Sequence, residues 1–238
     1  MNHKILGLLA LSVAFGYLPS PAATYDELNR SFADGDLPRV IRLAEADLRR
    51  EPTNIDALYF LGVAYGQLDQ RDKAIRFLTE FEKVHDVAER KQKNEHAPGS
   101  TADFLLIDAR YAPAYFLLGE HYVKTASFVR AERHLQRAKA RYLNDPMLNF
   151  YLGLASLELR KFEESRKYFR RMMELDPKDP SPLYNIAASY ARERKSREAL
   201  DWLKRAVDAR PQYREEASAD ADFSGLKQSA EFKRLISH

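Results

Sequence analysis

The sequence predicts an all-α solenoid, a row of antiparallel helix pairs closed by a capping segment at its C-terminal end. Three observations carry this reading. An aromatic residue returns at a constant step of 34, at Tyr25 and Tyr59 and again at Phe116, Phe150 and Tyr184. The one irregular step, Tyr59 to Phe116, is 57, one period plus an insert of 23. Helix formers dominate the composition and β-branched runs are scarce, which sets the class. A period of this length marks stacked units, each a helix pair that cannot bury its apolar face alone.

The aromatic column has companions. Gly62, Gly119, Gly153 and Ala187 form a small column three residues on, with Leu28 as the exception. Val40, Ala74, Ala131, Ser165 and Ala199 follow, then Ala44, Leu78, Leu135, Phe169 and Leu203. Small residues let two helices approach closely, and large ones fill the space beside them. Pro52, Pro177 and Pro211 end units, because proline cannot continue a helix.

At these residues the chain resembles the tetratricopeptide repeat family. Leu58-Leu61-Gly62-Tyr65 with Ala74 carries the pattern, as does Tyr115-Leu118-Gly119-Tyr122 with Ala131 and Ala138. Asn149-Leu152-Gly153 with Phe169 and Pro177 is looser, and Leu183-Ile186-Ala187-Tyr190 with Ala199, Ala206 and Pro211 is close. The first unit is degenerate, with Leu28 for glycine and Asp47 for alanine, as expected of a terminal repeat. The resemblance implies a right-handed helical-hairpin solenoid of about five units.

The elements follow in order. Lys4 is the only charged residue up to Thr24, and Ile5 to Leu18 is apolar. With Ser20-Pro21-Ala22 behind it, segment 1–22 is predicted to be a secretory signal peptide, cleaved after Ala22 or Ala23. The run is too short for an ordinary membrane span, so none is expected after cleavage. Thr24-x-x-Glu27 is a capping box opening the first helix. Units one and two occupy 21–54 and 55–88, of which 23–88 belongs to the mature chain. An insert at 89–111 follows. Its charged start predicts that the second helix of unit two runs on, turns at Pro98-Gly99-Ser100, and returns through a short helix near 101–108. Units three to five occupy 112–145, 146–179 and 180–213. Asp145-Pro146 and Ser181-Pro182 are predicted helix starts, a capping side chain before a first-turn proline. In the tail, 214–238, Phe223, Leu226, Phe232, Leu235 and Ile236 are expected to cover the last unit.

By resemblance, the first helices line a concave groove that takes a peptide or helix. The groove residues this implies are the ladder Tyr25, Tyr59, Phe116, Phe150 and Tyr184, with Asn29, Val63, Glu120 and Leu154 one turn on, and Phe32, Lys124 and Arg192 deeper. The ladder has two open roles, anchoring a ligand or packing between helices. A Lys-Asn clamp for a terminal carboxylate is not expected, since only Asn29 fits it. Arg130, Arg133, Arg137, Lys139, Arg141, Arg166, Lys167, Arg170 and Arg171 make the second helices of units three and four basic. They read as a solvated convex face, with an anionic partner as the other reading.

The exclusions are firmer. The chain has no cysteine, which removes disulfides, thiolate metal sites, cysteine catalysis and a lipidated N-terminus. Net charge is only +3 with 31% charged residues, so nucleic acid is not an expected partner. His85 and Glu89, and His121 and His134, form no recognisable metal signature, and no P-loop, nucleophile elbow or His-Glu-x-x-His occurs. No cofactor, metal or catalytic activity is expected. The expectation is a periplasmic or secreted adaptor that binds an envelope protein in its groove, supporting a secretion, pilus, cytochrome or cell-wall complex. The alternative is a structural subunit using the insert and the basic face. Self-association is left open.

Overall fold

The structure, a computed structural model, describes residues 22–95 and 101–237. The expected signal peptide, but for Ala22, and the turn at 98–100 lie outside the described residues. Among those described, there are helices and no strands. The helices pair as α1 (Tyr25–Ala33) with α2 (Leu37–Arg50), α3 (Ile55–Gln67) with α4 (Arg71–Glu95), α5 (Thr101–Lys124) with α6 (Phe128–Tyr142), α7 (Pro146–Glu158) with α8 (Phe162–Leu175), and α9 (Ser181–Arg192) with α10 (Ser196–Ala209). Beyond them come α11 (Tyr213–Ala219), a 3-10 helix (Ala221–Leu226) and α12 (Ala230–Ile236).

Local chemistry explains the helix starts. Thr24 accepts from the Glu27 amide at 3.2 Å, as its capping box requires. Asn54 accepts from Ala57 N at 2.9 Å, and Asp145 from Met147 N at 2.7 Å and Leu148 N at 3.1 Å, with Pro146 in the first turn. Ser181 departs from expectation. It lies inside α9, and Asp179 caps the turn instead, accepting from Ser181 N at 2.9 Å and Ser181 Oγ at 2.7 Å. The insert differs as well. α4 does run on to Glu95, but there is no separate helix at 101–108, because α5 is continuous from Thr101 through Pro113 to Lys124.

The turns inside each pair share a feature the residue columns did not reveal. Gly35, Asp69, Ala126, Arg160 and Arg194 occupy one repeat position, and all are left-handed, with φ of 76°, 56°, 54°, 59° and 64°. Each closes its helix with a Schellman motif; in the third, Ala126 N reaches Val123 O at 3.1 Å and Ser127 N reaches Tyr122 O at 2.7 Å. A left-handed residue with a Cβ is strained. Ala126→Gly is therefore expected to raise stability by roughly 0.5–1 kcal/mol after glycine's extra chain entropy is subtracted. A lower denaturant midpoint for the variant would contradict this.

The core runs along the interior of the pairs. Gly62 faces Leu78, Gly119 faces Leu135 and Gly153 faces Phe169, so the small and large columns interlock. Phe223, Leu226 and Phe232 are buried against unit five, with Leu235 and Ile236 packed at their edge. Asp47, where other units carry an apolar residue, is buried and accepts from the Ala23 amide at 3.0 Å.

Candidate peptide-binding groove

The first helices α1, α3, α5 and α7 pack side by side, which brings the aromatic ladder into one row. Its two ends are closed by the chain itself. Tyr25 stacks on Tyr59 with ring centroids 6.4 Å apart and planes at 15°. Tyr111 sets its edge against both, at 6.4 and 5.1 Å, and its hydroxyl donates to Asp56 at 2.7 Å. The Arg110 guanidinium lies 4.4 Å over the Tyr25 ring. Tyr59 is left only 5% exposed and Val63 is buried beside it. Burial pushes the Tyr59 and Tyr111 hydroxyls well above the usual tyrosine range. Phe32 is half-buried against Phe60, and Asn29 is exposed. At the other end, Tyr184 stacks on Tyr213 at 4.8 Å, meets Phe223 at 5.4 Å and donates to Asp220 at 2.8 Å. Tyr59, Val63 and Tyr184 are thus committed to intramolecular packing, as the packing reading of the ladder requires.

In the middle of the row, Phe116 packs on Tyr142 at 5.2 Å and Phe150 on Tyr151 at 5.5 Å; both are half-buried, as are Tyr25 and Tyr184 at the ends, and Leu117 and Leu154 are half-buried beside them. Charged pairs border this strip. Glu120 takes an ion pair from Lys124 and another from Arg71 at 3.4 Å. Burial pushes the Glu120 carboxyl up, but Lys124, the Tyr151 hydroxyl and Arg71 together outweigh it and the net shift is downward. Arg192 donates twice to Glu158, at 2.6 and 3.1 Å, and lies 3.7 Å from Asp222 of the 3-10 helix. Arg110 and Tyr111, which close the first rungs, were assigned to the insert. Tyr213 is the last residue of unit five as read from the sequence, and Asp220 lies in the expected cap. Neither role has a local sequence signal, since each depends on long-range packing.

The basic second helices are not uniformly solvated. Arg130 donates to Glu82 at 2.7 Å, Arg133 also pairs with Glu82, and Arg137 donates to Glu89 at 2.5 Å. Arg166 is 1% exposed, held by Glu163 at 2.8 Å and Glu193 at 2.6 Å over the Tyr190 ring. These arginines stitch successive units together. His85, Asp86 and Glu89 bring three possible metal-ligand atoms within 4.8 Å of one another. Arg137 already neutralises Glu89, and Arg133 lies 3.6 Å from Asp86, so cationic side chains occupy the place of an ion. Burial, reinforced by Arg137, holds the His85 imidazole down at about 4.

The Tetratricopeptide repeat family matches by sequence at residues 116–180 and again at 55–83. Subunit 6 of the anaphase-promoting complex from Arabidopsis thaliana is 26% identical over 96 residues, covering 38% of this chain and 18% of that protein. The match therefore spans less than two thirds of that relative's length. YrrB, a tetratricopeptide repeat protein with an unusual peptide-binding site, superposes with a TM-score of 0.55 at 20% identity, covering 80% of this chain and 87% of YrrB. A MamA structure superposes with a TM-score of 0.54 at 21% identity, covering 78% and 95%. At such identities the likeness is one of fold.

Proposed function

The chain belongs to the tetratricopeptide repeat family, and from that premise we propose that it is a protein-interaction scaffold of the cell envelope. It holds a peptide or helix of an envelope protein over the central strip of its groove. The observation that carries this is the half-buried apolar strip of Phe116, Leu117, Phe150 and Leu154 bordered by Glu120, Lys124, Glu158 and Arg192. Aromatic side chains give large contact area for little lost entropy, and the bordering pairs supply orientation. An apolar segment with charged residues on either side fits.

The envelope location rests on the N-terminal sequence, read as a signal for export to the periplasm. The Asp47 contact supports cleavage after Ala22. Removal of the signal there would turn the Ala23 amide into an ammonium group facing a buried carboxylate 3.0 Å away.

Two measurements test the two parts. A photoreactive residue placed at Leu154 is expected to crosslink one dominant envelope protein in the cell, and Phe116→Ala with Phe150→Ala to reduce that product at least about fivefold with the helix signal retained. Undiminished crosslinking in the double variant would remove the groove mechanism. The mass of the purified protein should correspond to a chain starting at Ala23, and a retained Met1 would remove the export reading.

A further inference from the structure

The α4–α6, α6–α8 and α8–α10 seams between successive second helices are built from the same repeat positions, but they are filled differently. In the α4–α6 seam, Glu82 and Asp86 of α4 face Arg133, His134 and Arg137 of α6, and the charges neutralise across it. In the α6–α8 seam, Lys139 and Leu143 stand at the positions of Glu82 and Asp86, while Lys167, Tyr168 and Arg171 stand at those of Arg133, His134 and Arg137. Basic residues persist on one side and the carboxylates have gone from the other. In the α8–α10 seam, Met173 and Trp202 stand at the positions of Glu82 and His134, and both pack on the buried cluster of Phe169, Met172 and Ile186.

The middle seam is accordingly open. A cleft of about 470 Å³ lies there, floored by Leu148 and Asn149, walled by Leu143 and Tyr168, and rimmed by four cations, Lys139, Lys167, Arg170 and Arg171, and one carboxylate, Glu174. Leu143 is 56% exposed, although it is a large apolar residue. Arg170 and Arg171 have internal partners, Glu163 at 3.3 Å and Glu174 at 2.6 Å. Lys139 and Lys167 have no carboxylate within ion-pair distance among the described residues; Lys139 reaches only the Tyr168 ring, 5.7 Å from its centroid.

We propose that the α6–α8 seam is a second docking site, separate from the groove, for an acidic segment of a partner protein. One apolar side chain of that segment enters the cleft over Leu148 and beside Leu143 and Tyr168. Its flanking carboxylates pair with Lys139 and Lys167, supplying from outside the charges that Glu82 and Asp86 supply within the neighbouring seam. The charge complementarity selects an acidic occupant, and the apolar floor selects one with a leucine-like residue between its acids.

The test is fluorescence anisotropy with a short labelled peptide bearing a central leucine flanked by glutamates one helical turn to either side. Wild-type protein is expected to bind it, more weakly as salt rises. Lys139→Glu is expected to weaken binding about tenfold or more, because it removes one ion pair and places a carboxylate next to Lys167. The same substitution copies the neighbouring seam, so its melting temperature should be unchanged or higher. Lys167→Ala, at an exposed position, should weaken binding severalfold. Phe116→Ala with Phe150→Ala should leave this binding intact, which separates the site from the groove. No binding by wild-type protein, or equal binding by Lys139→Glu, overturns the proposal. So does preferential binding to phosphatidylglycerol vesicles that the peptide cannot displace, which would make the seam a lipid surface.

Discussion

Glu82→Ala is expected to cost about 3–5 kcal/mol of stability, the range for removing one member of a buried charged network. Glu82 is almost fully buried between α4, α5 and α6. It accepts from Tyr122 Oη at 2.7 Å, Arg130 at 2.7 Å and His134 Nε2 at 3.0 Å, and it also pairs with Arg133. His134 is 1% exposed, stacked between Tyr115 and Tyr122, and its Nδ1 has no hydrogen-bond partner. Without Glu82 its other nitrogen would be left with only a long contact to Arg133 Nη2, at 3.5 Å, while the half-exposed Arg130 turns to water.

The pH dependence gives the same network a sign. Burial pushes the Glu82 carboxyl up, but the hydrogen bonds from His134 and Tyr122 and the Arg130 charge outweigh it and hold it at about 2, against 4.5 when unperturbed. A depressed carboxyl contributes stability that is fully present above its unfolded value and is lost as pH falls towards its folded one. Glu82 should therefore contribute about 3 kcal/mol at neutral pH, decaying between 4.5 and 2. Denaturant titrations at neutral and strongly acidic pH should show a smaller loss for Glu82→Gln than for the natural protein. Equal losses would mean that Glu82 is not the acid-sensitive tie.

Gly119→Ala is expected to cost about 1–3 kcal/mol, although alanine is the better helix former. A Cβ at Gly119 would collide with the Leu135 side chain, which is fully buried and cannot swing aside. Leu135→Ala alone should cost about 2–5 kcal/mol by opening a cavity. Combined, the new methyl enters the space that leucine leaves, so the double variant should be more stable than the sum of the two losses predicts. Strict additivity would show that the two positions do not meet. The same relation holds at Gly153, where a Cβ would lie 2.6 Å from Phe169 Cε1.

The interlocking of Gly62, Gly119 and Gly153 with Leu78, Leu135 and Phe169 was legible in the residue columns, because it repeats with the period and depends on one hairpin at a time. Thr24 and Asp145 were legible as caps, because a cap acts within a few residues of itself. Ser181 was misjudged because Asp179, two residues earlier, competes for the same turn. The groove was legible only as a set of positions. Which rungs stay open depends on Arg110 and Tyr111 closing Tyr25 and Tyr59, and on Tyr213, Asp220 and Phe223 closing Tyr184.

What the sequence determined by itself is the all-α class, the period and the small-against-large packing of each pair, all consequences of short-range geometry repeated along the chain. Only the tertiary structure decided which arginines are neutralised, which aromatic residues are fully buried and which half-buried, and that the α6–α8 seam stays open while its neighbours are filled. Glu82 meets Arg133 and Lys139 meets Tyr168 across a seam between units, and whether such a pair attracts, packs or leaves a cleft is set by identities on two helices at once.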